Sequence, residues 1–392
     1  MASVLTSQRP VVLEYISSCN YETKMSFDQD PFRHYSLANS HNHHSLHPWG
    51  PDVKVNTPEF DSLYACENSK YMYHLWYSDK LAPYMSTEVI TVHNFSIETL
   101  KCFSSVLQET LANGIDSALK SSDGQSLLEN IQTLLDEAGL QPDDQIFIRL
   151  GTTSAKDSFA VDLPTTKPSP LKPDAEVVLR RILTSRRCVC RLLALTDGIW
   201  HEDPGEALIV QRWSPDIELR REFRVFVYKG RITAISQDIW WKKLGWRKNY
   251  SDGFVNAISD LWDNVKDLVP FDSCTMDVLV SYDEDEIRGW KARLIEFNGF
   301  GAHLNTGSDL FHWVNDADIL QGKRAEITVR FVDDWEASGD AVTTEKGNST
   351  DVGEQKPDWL ALEEKIRASF DSTRLKKYEG KLPLRGRWSS SY

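Results

Sequence analysis

Two carboxylates and one carboxamide carry the strongest chemical signal in the chain. In Leu294-Ile295-Glu296-Phe297-Asn298, strand alternation puts Glu296 and Asn298 on one face, and Ile295 and Phe297 on the core side. A hairpin partner, Thr275-Met276-Asp277-Val278-Leu279, can bring Asp277 alongside. Asp277, Glu296 and Asn298 then offer three hard oxygen ligands. Mg2+ prefers such ligands and keeps its other positions for water and phosphate oxygens. Two carboxylates buried on a sheet without a cation are costly. The hairpin alone is equally readable as a solvent-facing polar edge.

Cations upstream bear on that choice. Arg149 ends one strand pattern, and Arg224 lies in Glu222-Phe223-Arg224-Val225-Phe226-Val227, projecting beside Glu222. Either guanidinium can fork onto phosphate oxygens or form a surface ion pair. Ala207 to Trp213 reads as a strand running into a linker. Its backbone can face an adenine edge while Val210 and Trp213 sandwich a ring, or it is a core strand with a bulky end. The chain has no glycine-rich Walker loop and no dinucleotide-binding fingerprint.

The elements expected to position these residues follow from periodicity. Strands are predicted over 88–92, 145–150, 207–213, 222–228, 231–237, 274–281 and 291–297. Lys229-Gly230 makes the turn of one hairpin, and the acidic run Asp283 to Glu286 forms the tip of another. Helical spacing runs over 96–111, 126–138 (stopped by Gly139), 175–185 (capped by Asp174) and 254–268. Strands and helices mix along the chain. Residues 1–60 read as an irregular leader, 61–335 as the folded domain with lobes of about 61–205 and 206–335, and 336–392 as linker, short helix (Asp358 to Phe370) and basic tail. His41, His43, His44 and His47 can bind zinc or nickel or belong to a polar loop; the lack of an apolar pattern favours the loop.

Bulk properties exclude several classes. The net charge of −14 over 392 residues argues against a general nucleic-acid binder. No apolar run approaches the roughly 20 residues that span a bilayer. The start of the chain lacks a secretory pattern. Six cysteines are scattered, with Cys188 and Cys190 the one close pair, as in reduced cytosolic proteins. A cytoplasmic location is therefore expected.

The order of these pieces resembles the cell-division-cycle-123 family, a divergent branch of the ATP-grasp proteins. Four blocks carry the resemblance: His74 to Val92, Ile146 to Ser158 (IFIRLGTTSAKDS), Glu222 to Gln237 (EFRVFVYKGRITAISQ), and Met276-Asp277-Val278 with RLIEFNGFG and Ser308 to Trp313 (SDLFHW). They span about residues 64 to 315 in the family's order. The resemblance implies an ATP-grasp fold, two α+β lobes clasping ATP. It sets Arg149 where the family has a phosphate-binding lysine, and Gln211, Arg212 and Trp213 on the adenine hinge. Arg224 matches the phosphate-side arginine, counted here as a catalytic residue, and Asp277, Glu296 and Asn298 match the magnesium ligands. ATP and Mg2+ are the implied cofactors. The family's role is ATP-dependent assembly of eukaryotic translation initiation factor two, with that factor's gamma subunit as partner.

This chain departs from the pattern at several points. Arg149 replaces lysine, Gly151-Thr152-Thr153-Ser154-Ala155 lacks the family's tryptophan and proline, Glu296 replaces aspartate and Gly299 replaces proline. The metal ligands survive chemically, whereas the loop after Arg149 does not keep its side chains. The assembly-chaperone role is the first expectation. The second is an ATP-grasp ligase forming an amide through an acyl phosphate, since Glu296-Phe297-Asn298 is similar to catalytic members.

Overall fold

The computed structural model describes residues 10–16, 70–156, 158, 170–196, 205–217, 221–238, 251–282, 289–301, 306–308, 310–311, 313 and 316–332. The histidine cluster at 41–47, the acidic tip 283–286 and everything expected after residue 332 lie outside these described residues. In chain order the strands are β1 (Val11–Ile16), β2 (Val89–Asn94), β3 (Ile146–Leu150), β4 (Ala207–Arg212), β5 (Glu222–Tyr228), β6 (Arg231–Gln237), β7 (Cys274–Tyr282), β8 (Trp290–Asn298) and β9 (Ile327–Val332). The helices are α1 (Tyr73–Trp76), α2 (Ile97–Asn113), α3 (Ile115–Lys120), α4 (Ser122–Glu137), α5 (Ala175–Thr184), α6 (Arg186–Thr196), α7 (Ser251–Val265) and α8 (Ala317–Leu320). The chain is thus α+β, as expected.

It divides into two compact units. The described part of the first comprises residues 10–16, 70–88 and 214–332; that of the second comprises 89–213. The first unit holds a six-stranded sheet in the order β1-β9-β6-β5-β7-β8. β5, β6, β7 and β8 are antiparallel neighbours, while β9 runs parallel to both β6 and β1. Helix α7 covers one face: Phe254 stacks on Phe223 with centroids 5.3 Å apart, and Trp262 meets Phe297 edge-on. The β5–β6 turn has Lys229 at φ 48° and Gly230 at φ 74°, the positive pair that a two-residue hairpin requires. Trp262 Nε1–H donates to the Gly230 carbonyl at 2.9 Å, tying that turn to α7.

The second unit is a three-stranded sheet, β2-β4-β3, backed by α2 to α6. Its core gathers Phe103, Leu107, Leu127, Ile131, Ile148 and Val210. The Asp174 carboxylate caps α5 as the sequence predicts, accepting from Val177 N–H at 2.9 Å, and the Ser96 hydroxyl caps α2 by accepting from Thr99 N–H. Gly139, at φ 68°, follows α4 in the left-handed conformation that ends a helix.

Three sequence expectations change. Residues 11–16, read as part of an irregular leader, form β1, paired in parallel register from Val11↔Ile327 to Ile16↔Val332. β4, assigned to the later lobe, lies between β2 and β3 in the second unit. Strict alternation along β8 fails at Ile295. Asp277 pairs with Glu296 and Val278 with Leu294, so Ile295 is the extra residue of a β-bulge. Leu294 is the core residue in its place, fully buried, while Ile295 is half-buried.

Candidate functional site

β5, β7 and β8 lie side by side, and their register decides which side chains meet. Arg224 is opposite Asp277, and Asp277 is opposite Glu296, giving one row across three strands. The next row on that face is Phe226, Thr275 and Asn298. Directly paired antiparallel residues share a face with Cβ atoms about 5 Å apart. The odd-numbered neighbours Phe223 and Phe297 turn to the opposite face, under α7. Sheet geometry therefore puts the polar row on the face that α7 leaves clear. The bulge at Ile295 adjoins the row, where it sets the register that makes Glu296 rather than Ile295 the partner of Asp277.

The row is largely buried: Asp277 and Glu296 are each 8% exposed. Arg224 clamps Asp277 with a fork, Nε donating to Oδ1 at 2.8 Å and Nη2 to Oδ2 at 2.7 Å. Asn298 Nδ2 donates to Oδ2 at 3.2 Å. The remaining arm of Arg224, Nη1, donates to the carbonyls of Gly307 at 2.6 Å and Thr306 at 3.4 Å. Burial pulls the guanidinium towards neutrality, but the charge and hydrogen bonds of Asp277, then Asp238 and Glu296, hold it more firmly protonated than usual.

The segment behind Arg224 is itself fastened. Thr306 Oγ1 donates to the Gly299 carbonyl, and the Ser236 and Ser308 hydroxyls are 2.5 Å apart. Arg330 forks onto Asp316, donates to the Leu310 carbonyl and to Glu14, and lies over the Phe311 ring at 4.4 Å. Phe311 and Trp313 pack edge-on against Phe226, next to the polar row. A Cβ at Gly307 would sit 2.8 Å from Trp313 Nε1, so only glycine lets that carbonyl reach Arg224 without a shift.

The other sequence candidates belong to the second unit. Arg149, on β3 opposite Ile209, is buried, 6% exposed, and so does not lie on the surface. Gln211 sits in the central strand, opposite Val89 on one side and Phe147 on the other, and is 5% exposed. Arg212 is exposed and pairs with Asp144 at 3.0 Å. Trp213 is half-buried, and its backbone N–H already donates to the Gln145 carbonyl at 2.8 Å. Val210, expected beside a ring ligand, is fully buried in the core instead. Within this unit the loop after Arg149 is held by a residue the sequence reading missed. Glu206 accepts from Gly151 N–H, from Ala207 N–H and from Arg191 Nε at 2.7 Å, with both side chains of the ion pair buried. Leu150 and Thr153 exchange backbone hydrogen bonds to close the loop.

Thr275 was also missed. Its hydroxyl, on the same face as Asp277 and opposite Asn298, is buried with no hydrogen-bond partner among the described residues. Alternation marks that position, but nothing in the sequence distinguishes a satisfied threonine from an orphaned one.

A divalent cation fits the donor set of the row. Asp277 and Glu296, paired directly across two strands, offer hard carboxylate oxygens, and the Asn298 amide can add a third once its donor end turns from Asp277. Among the described residues no group of three or more His, Cys, Asp or Glu stands together. No helix among the described residues is long and apolar enough to cross a membrane.

Comparison with known proteins agrees with the resemblance in the sequence. The D123 family model matches residues 190–360. A putative CDC123-like protein of Acanthamoeba polyphaga mimivirus is 25% identical over 277 residues, covering 68% of this chain and 76% of the viral protein. The solved structure of C-terminally truncated Cdc123 from Schizosaccharomyces pombe superposes with a TM-score of 0.50 at 19% identity, covering 72% of this chain and all of the yeast one. The chain is similar to the D123 family over residues 190–360 and has an α+β fold similar to that of the yeast Cdc123 structure.

Proposed function

We propose that this protein binds magnesium-ATP at the Arg224–Asp277–Glu296–Asn298 row and uses it as an assembly chaperone for eukaryotic translation initiation factor two in the cytoplasm. The observation that carries the nucleotide reading is the register of β5, β7 and β8, which sets a guanidinium, two carboxylates and a carboxamide on one face. Asp277, Glu296 and Asn298 would hold the cation, which when bound supplies charge neutralisation for phosphate oxygens. Arg224 supplies a planar cation suited to forked contact with phosphate. The adenine contacts of Gln211, Arg212 and Trp213 and the phosphate contact of Arg149 rest on the family resemblance. So does the gamma subunit of the initiation factor as partner.

Two measurements test this. Calorimetric titration of Mg-ATP is expected to show saturable binding to the unaltered protein, lost in Glu296→Ala and in Asp277→Ala. Binding retained by both folded variants removes the row from the site. Tagged protein is also expected to retain the gamma subunit from a eukaryotic lysate in an ATP-dependent manner. Failure to do so with and without ATP rejects the chaperone role, and ADP release dependent on an added acid and amine would replace it with the ligase reading.

A further inference from the structure

Both oxygens of Asp277 are already engaged, by the two arms of Arg224 and by Asn298 Nδ2. A cation ligated by this carboxylate competes for the same lone pairs. Asn298 turns its donor end to Asp277, so its amide must rotate before the oxygen can serve as a ligand. Arg224 does not depend on Asp277 alone. Its Nη1 stays anchored on the Gly307 and Thr306 carbonyls, so the guanidinium can release the carboxylate and still remain at the row. Arginine is effectively never deprotonated, so relief comes from moving the charge and not from losing it.

Charge then dictates the order of events. Asp238 also acts on Arg224, but no group of three or more His, Cys, Asp or Glu stands together among the described residues, so a divalent cation entering alone would meet the guanidinium across a partly buried face. Like charges at such a distance repel strongly in a medium less polar than water. A polyphosphate removes the conflict, because its oxygens accept the released fork and complete the cation's shell.

We propose that Arg224 is a built-in counter-ion that closes the cation site to free divalent metal. Its fork exchanges from Asp277 to phosphate only when metal and nucleotide arrive together. The proposal rests on the magnesium-ATP reading above and gives that site an obligatory pairing of its two ligands.

Manganese titration, with free Mn2+ followed by electron paramagnetic resonance, separates the possibilities on full-length protein. In the absence of nucleotide the unaltered protein is expected to bind Mn2+ at least about tenfold more weakly than Arg224→Gln, since a charge-assisted fork is lost in the variant. The gain is expected to vanish in Arg224→Gln/Asp277→Asn. Arg224→Gln is also expected to lose about tenfold in Mg-ATP affinity, for want of the phosphate fork. Arg224→Lys, which keeps the charge but not the fork, is expected to fall between and carries the same readout if the glutamine variant does not fold. Equal Mn2+ affinity in the unaltered and variant proteins overturns the counter-ion role. So does Mn2+ binding to the unaltered protein that is no tighter with ATP than without. A wild-type protein that binds no Mg-ATP fails the nucleotide reading instead, a separate outcome read in a separate titration.

Discussion

Gly307 shows how closely a single atom controls the row. Its carbonyl holds one arm of Arg224 at 2.6 Å, and an added Cβ would collide with the Trp313 indole at 2.8 Å. Gly307→Ala is therefore expected to cost about 1–3 kcal/mol through overpacking, read by chemical denaturation, and to weaken Mg-ATP binding by displacing Arg224. Thr275→Val should behave oppositely. The hydroxyl has no partner among the described residues, so its removal is expected to change stability by less than about 1 kcal/mol. A larger loss in the same denaturation experiment would mean that the hydroxyl is bonded after all. At this scale the sequence was informative about identity and mute about pairing. Alternation put Glu296 and Asn298 on one face with Asp277 as partner, as observed. It put Arg224 on the face of its own-strand neighbour Glu222 and named no partner for it; the fork closes on Asp277 across the sheet, because strand register is a property of two strands and cannot be read from one.

Among the elements, capping and turn chemistry was legible because it is local. Asp174 caps its helix, and Lys229-Gly230 turns the β5–β6 hairpin. Asp174→Ala is expected to cost about 1 kcal/mol. The loop after Arg149 lacks the tryptophan and proline of the family that the sequence resembles. The structure gives it a different support, the buried Glu206–Arg191 pair that also accepts the Gly151 N–H. That support was invisible in the sequence because its members lie 15 and 55 residues apart and a buried ion pair leaves no periodic trace. Glu206→Ala removes the buried carboxylate partner of Arg191 and the acceptor of two backbone donors. It is expected to cost about 3–5 kcal/mol, measured by denaturant unfolding, far more than the loss of that helix cap.

For the molecule as a whole, one thiol links folding to pH. Burial, and then the charge of Asp272, pushes Cys274 well above the usual thiol range. The folded state thus keeps its proton where the unfolded chain begins to release one, above about pH 8.5. The stability this thiol contributes is complete below that pH and is lost progressively as pH rises beyond it. Cys274 is also expected to resist alkylation at pH 8 until the protein is unfolded, which thiol counting with and without denaturant will show.

The pairing of β1 with β9 has a consequence for how the protein is made. Glu14 and the Arg330 that holds it are 316 residues apart, so the first described strand waits for the last described one. At roughly 5–20 residues per second of synthesis, that wait is roughly 16–60 s. Until β9 emerges to occupy the place between β6 and β1, the outer backbone edge of β6 has no strand to pair with. An unpaired edge invites other chains. A protein proposed to assist the assembly of others therefore spends its own translation in the condition of a client.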